Sequence, residues 1–423
     1  MCGKRERLFL VGITLPLVSF SFGEQTLSEL ERLVDTAGAT VAGKEHLMLR
    51  EIRPACFIGR GKARQLAAMT AELDVTGIVF DEELSPAQTR NLEEIFEVKV
   101  LDRSGLILDI FAQHAHTKEG KLQVELAQLE YLLPRLRGRG KMLSRLGAGI
   151  GTRGPGETKL ETDRRRILKR IGQLKREILH LGKIRATQRR RRMKEGIPTV
   201  SLIGYTNAGK STLLNALTEA DVLVEDQLFC TLDPTARRLS LPADARAILI
   251  DTVGFIRKLP HTLVASFRAT LEEIRYADLL LLVVDASSPM REEEIRASLE
   301  VLDILKITDK PILTVANKID RVEDEGALKR FLEDAAPSVA VSARNGDGLE
   351  NLLKRVEKAL RETRISRTYT LPYHRFDLLA RLQYLGNHVE VKYRDDTIRV
   401  CLMISSKEAK KLESDPDLGI VDP

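Results

Sequence analysis

An apolar, β-rich run, Val200 to Ile203, enters the octapeptide GYTNAGKS, Gly204 to Ser211, and a helical pattern opens at Thr212. This is G-x-x-x-x-G-K-S in the strand–loop–helix setting that a phosphate-binding loop requires. Gly204 and Gly209 let the backbone N–H groups of Tyr205, Thr206, Asn207 and Ala208 converge on phosphate oxygens. Lys210 reaches the β and γ phosphates, and the Ser211 hydroxyl suits Mg2+. The N-terminus of the following helix adds positive potential where the phosphates sit. A chance match in a loop would lack the strand before and the helix after.

Three further signals follow in order. An apolar strand, Ala247 to Ile250, delivers Asp251, Thr252, Val253 and Gly254. A carboxylate at a strand's end is where Mg2+ takes an oxygen, directly or through water, and Gly254 leaves a backbone N–H open to a γ-phosphate. The strand Pro311 to Ala316 runs into Asn317, Lys318, Ile319 and Asp320. In that N-K-x-D the Asp320 carboxylate can accept from guanine N1 and N2, a pattern adenine cannot offer. Lys318 lays its stem along the base, Asn317 ties the loops together, and Ser342, Ala343 and Arg344 bring a backbone N–H to guanine O6. One NKID could be a helix-capping turn. Four motifs in this order and spacing point to a guanine nucleotide, GTP or GDP.

The rest of the chain is larger than that site needs. At 423 residues it exceeds one ordinary core, so two to four domains are expected. Lys4, Arg5 and Arg7 before LFLVGITLPLVSF imitate a secretory leader, but no small-x-small site follows and the run partly alternates, so a first strand is expected. No other stretch approaches the roughly 20 apolar residues of a membrane span. Cys2, Cys56, Cys230 and Cys401 have neither paired nor metal-site spacing, which fits a reducing cytosol without structural zinc. The absence of Trp and the low aromatic content argue against base stacking as the main mode of recognition. The net charge of +6 conceals an asymmetry: Arg135 to Glu195 holds 21 Lys and Arg against 5 Asp and Glu, leaving 46 against 56 for the remainder. A block of that sign beside an acidic remainder points to a polyanionic partner, nucleic acid above all.

Residues 8–125 alternate short apolar runs with helical patterns, the mark of a mainly parallel α/β domain. Strands are expected at Leu8 to Leu15, ending at Cys56 to Gly59, at Thr76 to Phe80 and at Val98 to Leu101; helices at Thr26 to Ala37, Lys62 to Leu73, from Ser85, and at Ser104 to Ala112. The turn Gly59 to Lys62 could grip a phosphate, but a tight turn with solvated charges explains it as well. Leu122, Leu126, Leu129, Leu132 and Leu133 form one helical arm, with Pro134 bending or ending it; Ile167, Ile171, Leu174, Ile178 and Leu181 form another at heptad spacing. An antiparallel coiled-coil hairpin with the glycine-rich tip Gly147 to Glu157 is expected, followed by Arg189 to Arg192. The tail alternates as a hairpin at His388 to Tyr393 and Thr397 to Met403, with helices at Asp377 to Leu385 and Ser406 to Leu412. The expected organisation is therefore multidomain α/β: an N-terminal α/β domain (1–120), a basic helical hairpin (121–195), a P-loop domain with a mainly parallel sheet (196–365) and a small α+β appendage (366–423).

These motifs resemble translation-factor-class GTPases, and the flanking sequences narrow the likeness to the HflX family. FIGRGKARQL, ELSPAQTRNLE, GAGIGTRGPGETKLETDRR and DTVGFIRKLPHTLVASFRATLEE carry it, over roughly residues 8–365. The resemblance implies a cytosolic, monomeric GTPase, with loose membrane association left open, that binds the large ribosomal subunit and its RNA and separates ribosomal subunits under stress. It implies a nucleotide-lined segment Phe229, Cys230, Thr231, Leu232 and Asp233, with Thr231 joining Ser211 on Mg2+ when GTP orders that loop. Lys210, Thr231 and Gly254 would carry hydrolysis. Asn207 resembles the residue of potassium-stimulated GTPases, implying K+ at the phosphates, although a loop-holding hydrogen bond explains it too. Phe255 stands where many GTPases carry a water-positioning Gln, so slow intrinsic hydrolysis, accelerated by the ribosome, is expected. A nucleotide-dependent RNA remodeller and a GTP-gated scaffold are the alternatives.

Overall fold

The computed structural model describes residues 5–16, 20–136, 155–194, 197–218, 228–229, 231–232, 234–242, 245–258, 268–385, 387–394, 396–405, 409 and 412–421. The chain divides into two compact units: Met1–Leu179 with Glu225–Asp233 and Arg257–Ala269, and His180–Val224 with Pro234–Ile256 and Thr270–Pro423.

In the first unit, β1 (Arg7–Thr14), β2 (Thr40–Met48), β3 (Gly77–Phe80) and β4 (Lys99–Asp102) form a parallel sheet in the order β2-β1-β3-β4. Apart from Arg7 every residue of β1 is buried, so the leader-like run is the central strand of a core. The helices α1 (Phe20–Thr36), α2 (Arg60–Glu72), α3 (Pro86–Phe96) and α4 (Arg103–His114) connect and cover it. The start of α3 is written locally: Ser85 and Gln88 form a capping box, with Pro86 as the first helical residue.

One expected strand is not one. Cys56 to Gly59 is a turn, because Phe57 and Gly59 hold φ of 56° and 83°, backbone that cannot continue a ladder. The second strand is Thr40–Met48, whose half-exposed residues hide its alternation; it pairs with β1 at the sheet's edge. α1 likewise starts earlier than expected, at Phe20.

Charged side chains gather at the carboxyl ends of β3 and β4. Arg103 is buried and pairs with Asp81 (2.7 Å) and Glu29 (3.2 Å); Arg257 reaches the same Glu29 (3.1 Å), and Lys258 reaches Asp81 (2.9 Å) and Glu82 (2.6 Å). Asp102, fully buried, accepts from Gly105 N, Leu84 N, Tyr131 Oη and Arg135 and so fastens α5 (Lys118–Arg135) to the sheet. Burial, with Asp102 beside it, raises the Tyr131 phenol far above its ordinary value. Pro134 sits in the last turn of α5 and ends it rather than bending it midway.

The second arm is α6 (Pro155–Lys194). Within the first unit it is tied to α5 by a two-pronged Arg170–Glu125 pair (2.6 and 2.7 Å) and by Lys175–Glu130 (2.8 Å), around buried Leu122, Leu126, Ile171 and Leu174. Most of the expected tip, 147–154, lies outside the described residues, as do the side chains of Arg189 to Arg192.

The second unit carries a six-stranded sheet in the order β10-β9-β8-β5-β7-β6, from β5 (Thr199–Gly204), β6 (Thr235–Ser240), β7 (Arg246–Asp251), β8 (Leu279–Asp285), β9 (Ile312–Asn317) and β10 (Ser338–Ala340). All pairings are parallel except β6 on β7. That edge strand was not legible in the sequence: Arg237 and Arg238 are exposed and only Leu239 is buried, which leaves almost no apolar signal. Between strands run α7 (Lys210–Thr218), α8 (Arg268–Tyr276), α9 (Arg291–Ile304) and α10 (Glu325–Asp334), with α11 (Leu349–Thr363) after β10. Val200, Leu202, Leu281, Val283, Leu313 and Val315 lie in the core, the near-continuous apolar strands of a sheet covered on both faces.

The tail forms its own four-stranded antiparallel sheet, β12-β13-β11-β14, with α12 (Phe376–Leu385). The expected hairpin is β12 (Asn387–Tyr393) and β13 (Thr397–Ser405); β11 (Arg364–Pro372) pairs with β13, and β14 (Gly419–Val421) is too short for a sequence signal. Most of the expected helix at 406–412 lies outside the described residues. No described helix is long and apolar enough to cross a membrane.

Candidate functional site

The loop Gly204 to Gly209 leaves the carboxyl end of β5, and α7 begins at Lys210. The sheet dictates its glycines. A β-carbon on Gly204, at φ 139°, would lie 2.2 Å from the Val283 carbonyl oxygen of β8; one on Gly209, at φ 91°, would lie 2.3 Å from Asn317 Nδ2. Asn207 turns the loop in the left-handed region, φ 62°. Lys210 is buried and donates to the carbonyl oxygens of Gly204 (3.1 Å) and Tyr205 (2.8 Å), so its ammonium is held inside the loop.

The end of β7 lies against the loop. Thr206 N donates to Phe255 O (2.7 Å) and Phe255 N to Gly204 O (3.0 Å), so the two segments pair like strands. Ser211 Oγ donates to Asp251 Oδ2 (2.7 Å), and Asp251 is fully buried. Thr252 Oγ1 donates to Leu202 O (2.6 Å), and Val253 is buried beside it in the chain. A β-carbon on Gly254 would meet Thr206 Cα at 2.7 Å and Lys210 Nζ at 3.1 Å, so glycine permits this approach. A hydroxyl and a carboxylate this close are hard oxygen donors of the kind Mg2+ takes, and the pair fits that ion.

The residues expected to read the base converge from β9 and the loop after β10. Asn317 Nδ2 donates to Ala208 O (2.9 Å) and Asn317 Oδ1 accepts from Ala343 N (3.0 Å), so one amide fastens three segments. Lys318, at φ 61°, donates to Asn207 O (2.8 Å) and pairs with Asp285 (2.7 Å). Ile319 and Asp320 form a short 3-10 turn, and Ser342 Oγ donates to Asp320 Oδ1 (2.6 Å). Arg344 follows, exposed. Gly204 to Thr212, Asp251 to Gly254, Asn317 to Asp320 and Ser342 to Arg344 thus meet at one end of the sheet. Asp285 was missed in the sequence; its only signal is a carboxylate closing the apolar run LLLLVVD.

The segment expected around Thr231 belongs to the first unit. There Phe229, at φ 61°, is buried with its ring edge-on to Phe111 (4.8 Å), and Leu232 is buried as well. Thr231 is partly buried; Cys230 and Asp233 lie outside the described residues. Phe255, in the second unit, is 1% exposed, so its ring fills core rather than facing a nucleophile.

Three family profiles cover the chain in succession: GTP-binding GTPase N-terminal over residues 24–112, GTP-binding GTPase Middle Region over 114–192, and 50S ribosome-binding GTPase over 199–318. The GTPase HflX of Lacrimispora saccharolytica is 46% identical over 406 residues, 95% of this chain and 96% of its own length. The chain belongs to the HflX family of GTPases. The HflX GTPase of Caldanaerobacter subterraneus subsp. tengcongensis is 46% identical, covering 97% of this chain and 94% of its own. That of Escherichia coli K12 is 45% identical, covering 90% and 89%. A GDP complex of a GTP-binding protein from Sulfolobus solfataricus aligns with 84% of this chain and 99% of its own at 26% identity, with a TM-score of 0.43. As an HflX-family protein with a P-loop GTPase domain, the chain binds guanine nucleotide and hydrolyses GTP.

Proposed function

We propose that this GTPase binds the large ribosomal subunit and couples its GTP cycle to dissociation or rescue of ribosomes under stress. The observation that carries the reading is the P-loop domain's match to a family described as ribosome-binding, joined in one chain to a segment of net +16. Ribosomal RNA is the polyanion such a segment suits. Four working parts are inferred: an N-terminal α/β domain (1–120), the basic helical segment (121–195), the GTPase domain (196–365) and the appendage (366–423).

Within the GTPase domain the roles are inferred from each residue's contacts and, for Thr231, from the family resemblance. Backbone N–H groups from Tyr205 to Gly209 receive the phosphates, and Lys210, already turned into the loop, offsets their charge. Ser211 and Asp251 are the groups that would hold Mg2+, which when bound supplies Lewis-acid charge at the phosphate oxygens. Thr231 is assigned as the second hydroxyl ligand, by resemblance. Asp320 reads the guanine edge and stays oriented by Ser342. Since the Phe255 side chain carries no polar atom, the chain lacks a positioned glutamine at this point, and intrinsic hydrolysis is slow until the ribosome orders the site. K+ beside Asn207 would supply further positive charge; equal rates in KCl and NaCl at one ionic strength would remove that role.

Sucrose-gradient co-sedimentation with separated ribosomal subunits tests the proposal. Binding to the large subunit is expected with a non-hydrolysable GTP analogue and loss of binding with GDP. Nucleotide-independent sedimentation, or none, overturns it and favours the scaffold or RNA-remodelling alternatives.

A further inference from the structure

Asp285 closes β8 beside Asn317, its register partner at the end of β9. Its two oxygens are divided between two tasks. Oδ1 accepts from Ser287 N (3.0 Å) and Ser287 Oγ (2.6 Å), which fixes the carboxylate; Oδ2 faces the Lys318 ammonium at 2.7 Å. Both side chains are largely buried, 18% and 15% exposed, so solvent competes little for the pair. The same ammonium donates to Asn207 O, so the Lys318 side chain crosses from β9 to the phosphate loop. A β-carbon on Gly209 would lie 3.9 Å from Lys318 Cε, which places the stem directly over that loop.

A lysine stem has four rotatable bonds, and an unanchored one loses that freedom when a ligand presses against it. Anchoring the ammonium beforehand removes the loss from the binding step. We propose that Asp285 is a positioning residue for the purine base: it holds Lys318 across the phosphate loop, presents the stem to the face of the base, and links base recognition to Asn207. The inference rests on the reading of Lys318 as the base-face contact. A stem against the face of the ring is blind to the base's edge, whereas Asp320 is not. Loss of Asp285 therefore weakens every purine nucleotide by the same factor and leaves the choice among them unchanged.

The test measures GDP and IDP dissociation constants for the full-length protein and for Asp285→Asn, Ser287→Ala and Lys318→Ala, with thermal melts of the nucleotide-free proteins as the folding control. Asp285→Asn is expected to raise both constants by about tenfold with their ratio unchanged, and to raise the KM for GTP similarly while kcat moves less than about twofold. Ser287→Ala, which keeps the carboxylate but frees it, moves both constants the same way by less, and carries the test should Asp285→Asn not fold. Unchanged constants in Asp285→Asn beside weakened Lys318→Ala overturn the role of Asp285 and leave the base-face reading standing. Unchanged constants in Lys318→Ala overturn that reading itself. A changed GDP-to-IDP ratio in Asp285→Asn overturns the proposal by placing the carboxylate at the base edge.

Discussion

A β-carbon on Gly204 would lie 2.2 Å from the Val283 carbonyl oxygen, at a φ of 139° that other residues rarely adopt. Neither strain can relax without moving the central strands. Gly204→Ala is expected to cost at least about 2 kcal/mol of stability and to abolish tight GDP binding, read by thermal melting and by titration with a fluorescent nucleotide. Phe255 leads to a different expectation. Its missing glutamine invites a repair, but the side chain at this position is buried, and an amide there would enter the core without an arranged partner. Phe255→Gln should therefore lose about 3 kcal/mol of stability and leave the single-turnover hydrolysis rate no higher. A faster variant would show that the side chain can reach the nucleophile.

At the scale of elements, α5 and α6 join polar rims to an apolar seam. The hydrogen-bonded Arg170 guanidinium holds the Glu125 carboxyl below its ordinary value of 4.5. The folded protein thus releases this proton more readily than the unfolded chain does, so the pair stabilises fully above about pH 4.5, and its contribution fades as pH falls through the lowered value. Both groups are substantially exposed, so the effect is small. Melting profiles from pH 7 to pH 3.5 should show an acid-dependent loss that shrinks in Glu125→Gln; an identical profile would remove the pair from the stability of the seam. Leu174 and Ile171, buried beneath it, do more to hold the arms together.

For the whole molecule, the opposed charges of the basic segment and the remainder bear on the proposed binding to a ribosome. With six to ten phosphate contacts, affinity should fall by about 10³–10⁵ between 50 and 200 mM salt. Sedimentation across that range tests it, and a flat response would argue against RNA as the surface bound. Much of this architecture was legible. The inner strands of the two mainly parallel sheets announce themselves as apolar runs because they are covered on both faces. The edge strands β2 and β6 and the three-residue β14 were not legible as strands, since half-exposed or very short strands carry little hydrophobic pattern.

The sequence by itself determined the candidate nucleotide site, because phosphate loops and N-K-x-D are local: their chemistry lies within a few consecutive residues, and the adjoining strand places them. Only the tertiary structure decided what depends on residues far apart in the chain. Asp285 gains its meaning from Lys318, Asp102 from Tyr131 and Arg135, and Phe229 from Phe111. No spacing along the chain encodes these pairs. They exist because strands and helices stacked by burial bring distant side chains to one place, where a carboxylate withdrawn from water must find a partner and rings pack edge to face.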